Sequence, residues 1–349
     1  MGVDYHRTSR RPEFADLPDE VCRLLASVAG SPVAVARPSV TSGFTGAFAA
    51  VLELADGRRV FAKAAGPAAP HARVALPQEA SVLGRLDRVA GRLTAPALIG
   101  AGSTTVPDRT TGTDDVTGAD DTGADGDLWQ VIVLEAIDGR MPGIPWTEAE
   151  VALVHDTCRA LAAVPPAEVA AITTSSLATD VGGDPVARAT LDELAAGTRA
   201  WPAHVTPLPA HQMAQVAALG HRAGELLEGE HLVHSDLRPD NLLLDTSGRI
   251  RVVDWNWVTR GPAWADFVGL WPLMARDGID VAALAESSPL TRDADPEAID
   301  AFLAVLAGYM LTHAGHPAPP PPTLAALRDH QRLLGQLCLD LLATRRGWS

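Results

Sequence analysis

HLVHSDLRPDNLLL at residues 231–244 is the segment from which the architecture can be read, and RIRVVDWNW at 249–257 completes it. His234, Asp236 and Asn241 follow the spacing HxDxxxxN, and thirteen residues later an apolar run ends in Asp254. Ser247-Gly248 between the two apolar runs predicts a tight turn, hence a hairpin of two short strands. Two carboxylates and a carboxamide on rigid backbone suit phosphoryl transfer, which needs positioning and charge neutralisation more than covalent chemistry. Asp236 is suited to accept the proton of an attacking hydroxyl. Asn241 and Asp254 offer hard oxygen ligands for Mg²⁺. His234 is read as a catalytic-loop residue, with a backbone-bonded organiser of the loop as its plainer role. Taken singly, Asp236 is an ordinary turn residue and Asn241 an ordinary cap; the joint spacing carries the functional reading.

Around this motif the chain falls into two parts. Helical spacing of apolar residues occupies 147–163, 208–228, 265–275, 296–313 and 323–345, with PAPPPP at 317–322 as a stiff spacer. Ahead of Gly139 the pattern is strand-like. FAAVLEL (48–54) and RVFAKA (59–64) flank Asp56-Gly57, a strong hairpin signal. Residues 96–100 and WQVIVLE (129–135) predict two more strands. Residues 19–29, behind Pro18, and 74–86, starting after Pro77, predict helices. Residues 103–127 have no aromatic side chain and little to bury, so a flexible insertion is expected there. The expected fold class is α+β, with residues 1–138 as one lobe and 139–349 as a larger, mostly helical one.

The motifs HSDLRPDN (234–241) and VVDWNW (252–257) resemble those of the aminoglycoside phosphotransferase and choline kinase family, the small-molecule branch of the protein-kinase-like fold. Ser235 stands where that family commonly has glycine. The resemblance covers the front two-thirds of the chain and implies a bilobal fold with a small antiparallel-sheet N-lobe that binds the nucleotide. It implies that Lys63, in VFAK, contacts the α- and β-phosphates, with Glu79 as its ion-pair partner. It makes Ser42-Gly43-Phe-Thr-Gly46 the phosphate-covering turn, where glycines let backbone N–H groups approach oxygens. Backbone groups around Glu135–Ile137 would meet the adenine. Asp266, at a helix start, would accept backbone N–H bonds from the catalytic loop. ATP is the implied donor, with GTP open, and Mg²⁺ the implied metal.

Only eleven residues separate Asp254 from Asp266, which leaves no room for the long activation segment of a protein kinase. The acceptor is therefore read as a hydroxyl of a small molecule; an aminoglycoside or other antibiotic is one class the resemblance implies. The net charge of −15 argues against a nucleic-acid partner, although residues 103–127, with seven aspartates and one arginine, carry −6 of it. Three widely spaced cysteines form no metal-finger spacing, and no apolar run is long enough to span a membrane. A cytoplasmic protein is expected, with its oligomeric state open. A catalytically inactive, kinase-like nucleotide- or ligand-binding protein is the main rival. A metal-dependent hydrolase lacks further closely spaced ligands, and a serine hydrolase using Ser235 lacks the GxSxG turn.

Overall fold

The computed structural model describes residues 3–6, 8–39, 43–87, 93–107, 126–317 and 326–348. Its N-terminal part is a five-stranded sheet built from β1 (Val33–Pro38), β2 (Phe48–Leu54), β3 (Arg59–Ala65), β4 (Leu98–Pro107) and β5 (Gly126–Glu135). The spatial order is β1-β2-β3-β5-β4, and every neighbouring pair is antiparallel. Gly57 takes φ of 86° in the β2–β3 turn, a conformation glycine adopts without strain.

The two-residue period of the strands sorts their side chains between two helices. Val60, Ala62 and Ala64 of β3 face α1 (Asp19–Ala29) and pack with its Val21, Leu25 and Ala29. Phe61, Ala65, Ile132 and Leu134 face the other way, onto α2 (Pro70–Leu86). Lys63 lies in register between Phe61 and Ala65, opposite Ile132, so the same alternation sends it to the α2 side.

Two sequence expectations need correction here. Helix α2 begins at Pro70 and carries Pro77 within it. Pro70 occupies the first turn, where a missing N–H costs nothing, and burial of Leu76, Val82, Leu83 and Leu86 offsets the bond Pro77 cannot make. Strands β4 and β5 are also longer than expected, pairing as far as Pro107 with Gly126. Residues 103–107 and 126–127 are therefore ladder, held by backbone bonds where side-chain burial is slight. The remainder of the expected insertion, 108–125, lies outside the described residues, as does the proline spacer beyond Pro317.

Past Glu135 the chain becomes mostly helical: β6 (Gly139–Arg140), α3 (Glu148–Ala162), α4 (Pro166–Ile172), α5 (Pro185–Ala195) and α6 (Ala210–Leu226) come first. Next are β7 (His231–Val233), β8 (Leu242–Asp245), β9 (Ile250–Val252) and β10 (Thr259–Gly261). The chain continues through α7 (Ala265–Arg276), α8 (Val281–Ser287), α9 (Pro296–Ala314) and α10 (Ala326–Arg345). Helix α9 is buried nearly all round, against α5, α6 and α10. β8 lies between β6 and β9 in one small ladder, and β7 pairs with β10 in another. The two ladders carry the HSDLRPDN loop between them, over a core that includes Trp255, Phe267 and Trp271. Among the described residues no helix is long and apolar enough to cross a membrane.

Candidate active site

The loop after β7 is fixed from below by Asp266, in the first turn of α7. Its carboxylate accepts the backbone N–H of His234 at 2.7 Å and of Ser235 at 2.9 Å. Ser235 sits at φ of 61°, where a β-carbon is strained and glycine is the usual occupant. Its hydroxyl offsets this by donating to the carbonyl of Trp257. Trp257 itself is an exposed indole beside the loop.

His234 is fully buried. Its Nε2–H donates to the carbonyl of Val253 at 3.1 Å, and its ring meets Trp255 edge-on. Burial lowers its pKa and keeps it neutral. The contacts are those of the plainer role, a backbone-bonded organiser that joins the loop to the strand before Asp254.

Asp236 Oδ1 accepts from Arg238 at 3.1 Å, and Oδ2 accepts from Asn241 Nδ2 at 3.1 Å. The same Asn241 nitrogen donates to the Asp236 carbonyl at 2.8 Å. The amide is thereby oriented, and its Oδ1 has no partner among the described residues. Arg238 also donates to Asp240 at 2.8 Å, and Asp240 is buried. Burial pushes Asp236 up to about 6, against the opposing pull of Arg238.

Asp254 stands at φ of 68°, next to Val253, whose N–H donates to the Asn241 carbonyl at 3.0 Å. That bond sets the Asn241 and Asp254 side chains on adjacent backbone. Lys63 Nζ lies 2.7 Å from Asp254 Oδ1 and 2.8 Å from Glu79 Oε2. Glu79 is 1% exposed and Asp254 30% exposed at the side chain, so the two carboxylates differ in access to water. Burial raises Asp254, but Lys63 and Arg238 outweigh it and hold it at about 2. Burial raises Glu79 in spite of Lys63. Burial also pulls Lys63 down, yet its two carboxylate partners prevail, and the ammonium stays ionised.

The other expected nucleotide residues divide. Gly43 and Gly46 both have left-handed φ, 54° and 64°, in the turn before β2, and the Phe44 ring between them lies 5.0 Å from the Arg238 guanidinium. Ser42 lies outside the described residues. Glu135 gives its N–H to the Ala97 carbonyl, and its carboxylate pairs with Arg251 at 2.7 Å. Ile137 follows the end of β5, and among the described residues its N–H is given to no other backbone group. Arg238, which the motif reading passed over, is the residue that ties Asp236 to Asp240. Its position was readable in the sequence, two residues from Asp236 on one side and from Asp240 on the other.

These residues fit a divalent cation. Asn241 Oδ1 and the Asp254 carboxylate are hard oxygen donors on adjacent backbone. Among the described residues no cluster of three or more His, Cys, Asp or Glu forms a ready metal cage. Two protein oxygens completed by water and phosphate is the usual setting for Mg²⁺.

A sequence profile of the phosphotransferase enzyme family (APH) matches residues 6–304, and the chain belongs to that family. Solved structures with the same fold include a thermostable mutant of aminoglycoside phosphotransferase APH(4)-Ia in ternary complex with ADP and hygromycin B. It is 14% identical, covers 95% of this chain and 100% of its own, and gives a TM-score of 0.57. A second complex of that enzyme, with AMP-PNP and hygromycin B, gives 0.59 at 14% identity over the same shares. The AMP-bound spectinomycin phosphotransferase APH(9)-Ia gives 0.50 at 13% identity, over 84% of this chain and 88% of its own. At such identities the likeness is one of fold, the two-part kinase-like architecture of sheet and helices. No curated protein sequence matches the chain.

Proposed function

We propose that this phosphotransferase moves the γ-phosphoryl group of ATP to a hydroxyl of a small molecule, with Mg²⁺ bound at Asn241 and Asp254. The observation that carries the reading is the contact between Lys63 and Asp254, 2.7 Å, across 191 positions of sequence. It joins a cation of the sheet to a carboxylate of the catalytic loop, the two charges a triphosphate and its metal would need to find together. Residues 1–138 then serve as the nucleotide-binding lobe and 139–349 as the lobe that holds the catalytic loop and the acceptor. Glu79 keeps Lys63 aimed, and the Gly43–Gly46 turn offers backbone N–H groups to the phosphates.

When bound, the metal would neutralise charge on the phosphates. Asp236 takes the proton of the acceptor hydroxyl; the bond between the γ-phosphorus and the bridging oxygen breaks as the acceptor oxygen bonds to phosphorus, and ADP leaves. With its pKa at about 6, Asp236 is mostly ionised at neutral pH and close to the operating range of a general base. Arg238 supports it from the side and offers a cation toward the transferred group. GTP in place of ATP is accommodated equally by this reading. We place the reaction in the cytoplasm, where nucleoside triphosphates and reduced thiols such as the three free cysteines coexist.

The acceptor is small because β10 and α7 follow Asp254 at once, leaving no platform for a peptide. The neighbours that bind hygromycin B and spectinomycin phosphotransferase make antibiotics with hydroxyl groups the first acceptors to try. ADP release should be measured across aminoglycosides, other antibiotics and small alcohols. Turnover with one acceptor is expected, falling about 10²–10⁴-fold in Asp236→Asn. Nucleotide binding without turnover on any acceptor would favour the inactive binding protein instead.

A further inference from the structure

Residues 3–6 and 8–13 run past the glycine turn and against the catalytic loop, and the mechanism above does not use them. Tyr5 is 2% exposed. Its ring meets Phe44 edge-on at 6.5 Å and the His330 ring of α10 at 5.6 Å. Its hydroxyl lies 2.9 Å from His330 Nδ1. Phe44 is in turn 5.2 Å from His330 and packs under the Arg238 guanidinium. Tyr5, Phe44 and Met141 form an apolar cluster of their own, separate from the two larger cores. Further along, Thr8 Oγ1 donates to the Gly43 carbonyl at 2.5 Å. Arg11 then packs so closely that a β-carbon on Gly43 would meet its Nη2 at 2.8 Å.

Three aromatic rings from distant parts of the sequence thus meet one another, and one of them, Phe44, lies against an arginine of the catalytic loop. Tyr5 and His330 are 325 positions apart, so the contact is a fastening between elements and not a local turn. The chemistry of the fastening is consistent. Burial, with Arg238 nearby, lowers His330 to about 3, so its ring is neutral and Nδ1 can accept the hydrogen bond of the Tyr5 hydroxyl. Burial raises the Tyr5 phenol, so it keeps the proton to donate. Arg11 brings a further cation whose neighbours include Asp254 and Asp240.

We propose that residues 3–6 and 8–11 form a strap that closes the active site, and that Tyr5 is a positioning residue which, through Phe44, holds the glycine turn down and Arg238 in place. The inference rests on the reading of that turn as the phosphate cover. A loose turn presents its N–H groups to phosphate only part of the time, and affinity falls by the fraction of time it is open.

The test uses the full chain and needs no acceptor. ADP affinity with Mg²⁺ is measured by calorimetry, and amide exchange is followed at residues 43–46. Tyr5→Ala should weaken ADP about tenfold, as expected for a lost buried hydrogen bond and ring contact. Tyr5→Phe, which keeps the ring, should weaken it less. Exchange at 43–46 should rise in Tyr5→Ala while β2 and β3 stay protected. A variant that melts earlier yet binds ADP as tightly, with exchange at 43–46 unchanged, would show that Tyr5 only stabilises the fold and overturn the proposal. Tighter ADP binding would make the segment a barrier and overturn it too. Should Tyr5→Ala not fold, Thr8→Val removes the bond to the Gly43 carbonyl, and the same two readouts decide. Were the wild-type chain to bind no nucleotide, the functional reading would fall, and exchange at 43–46 alone would still judge the strap.

Discussion

Replacing Lys63 by methionine keeps most of the side-chain stem and removes the ammonium that lies 2.8 Å from Glu79 and 2.7 Å from Asp254. Asp254 is 30% exposed and can turn to water, whereas Glu79 is 1% exposed and cannot. The loss is therefore set by Glu79. An ion left unpaired in the interior costs about 3–5 kcal/mol. Glu79 can escape part of that by taking a proton, because burial already raises its pKa and the lysine no longer opposes it. The sign follows from proton counts. In the variant the folded state holds a proton that the unfolded state has released, at any pH between the unfolded and the folded pKa of Glu79. Stability then falls as pH rises through that window, by up to about 1.4 kcal/mol per unit.

Chemical denaturation of wild type and Lys63→Met at pH 5.5 and pH 8 measures this. The variant should lose about 3–5 kcal/mol at pH 8 and distinctly less at pH 5.5. The double variant Lys63→Met/Glu79→Leu should recover much of the deficit at pH 8, because no buried charge remains. An equal loss at both pH values, or a double variant worse than the single one, would refute the argument that Glu79 is a buried anion held by Lys63.

Two further outcomes concern the loop. Asp254→Ala should weaken Mg·ADP at least about tenfold while leaving metal-free ADP binding intact, because water replaces a carboxylate ligand poorly. Parallel titrations with and without Mg²⁺ check this, and an unchanged metal dependence removes Asp254 from the metal site. For wild type, kcat/KM should fall on the acid side of about 6 as Asp236 is protonated. Because Arg238 lowers that pKa, Arg238→Gln should move the acid limb to higher pH, and a limb that stays in place would separate Arg238 from the base.

What was legible in the sequence was what depends on short spacing. His234, Asp236, Asn241 and Asp254 occupy one loop and one hairpin, so their order along the chain already fixes their neighbourhood. The strand alternation that turns Lys63 toward α2 was equally readable from VFAK. Pro77 misled because proline is a local signal and the packing of Leu76, Val82 and Leu83 that overrides it is not. The β4–β5 extension was missed because its residues are polar and held by backbone ladder bonds. Arg238 needed no distant information, only attention to Asp236 and Asp240 on either side. The strap was illegible for the opposite reason: a lone tyrosine in a polar segment has no pattern, and its partners Phe44 and His330 are brought to it only by the finished fold.

That last contact also bears on how the molecule is made. Translation delivers Tyr5 325 residues ahead of His330, so the fastening must wait until α10 has emerged and docked on α9. Until then Tyr5 and Phe44 are exposed apolar rings on a growing chain, which is the surface that folding helpers recognise and that aggregation exploits. The catalytic loop and the sheet can be in place well before this closure. The site is therefore shut only after the loop and the sheet that build it have been made.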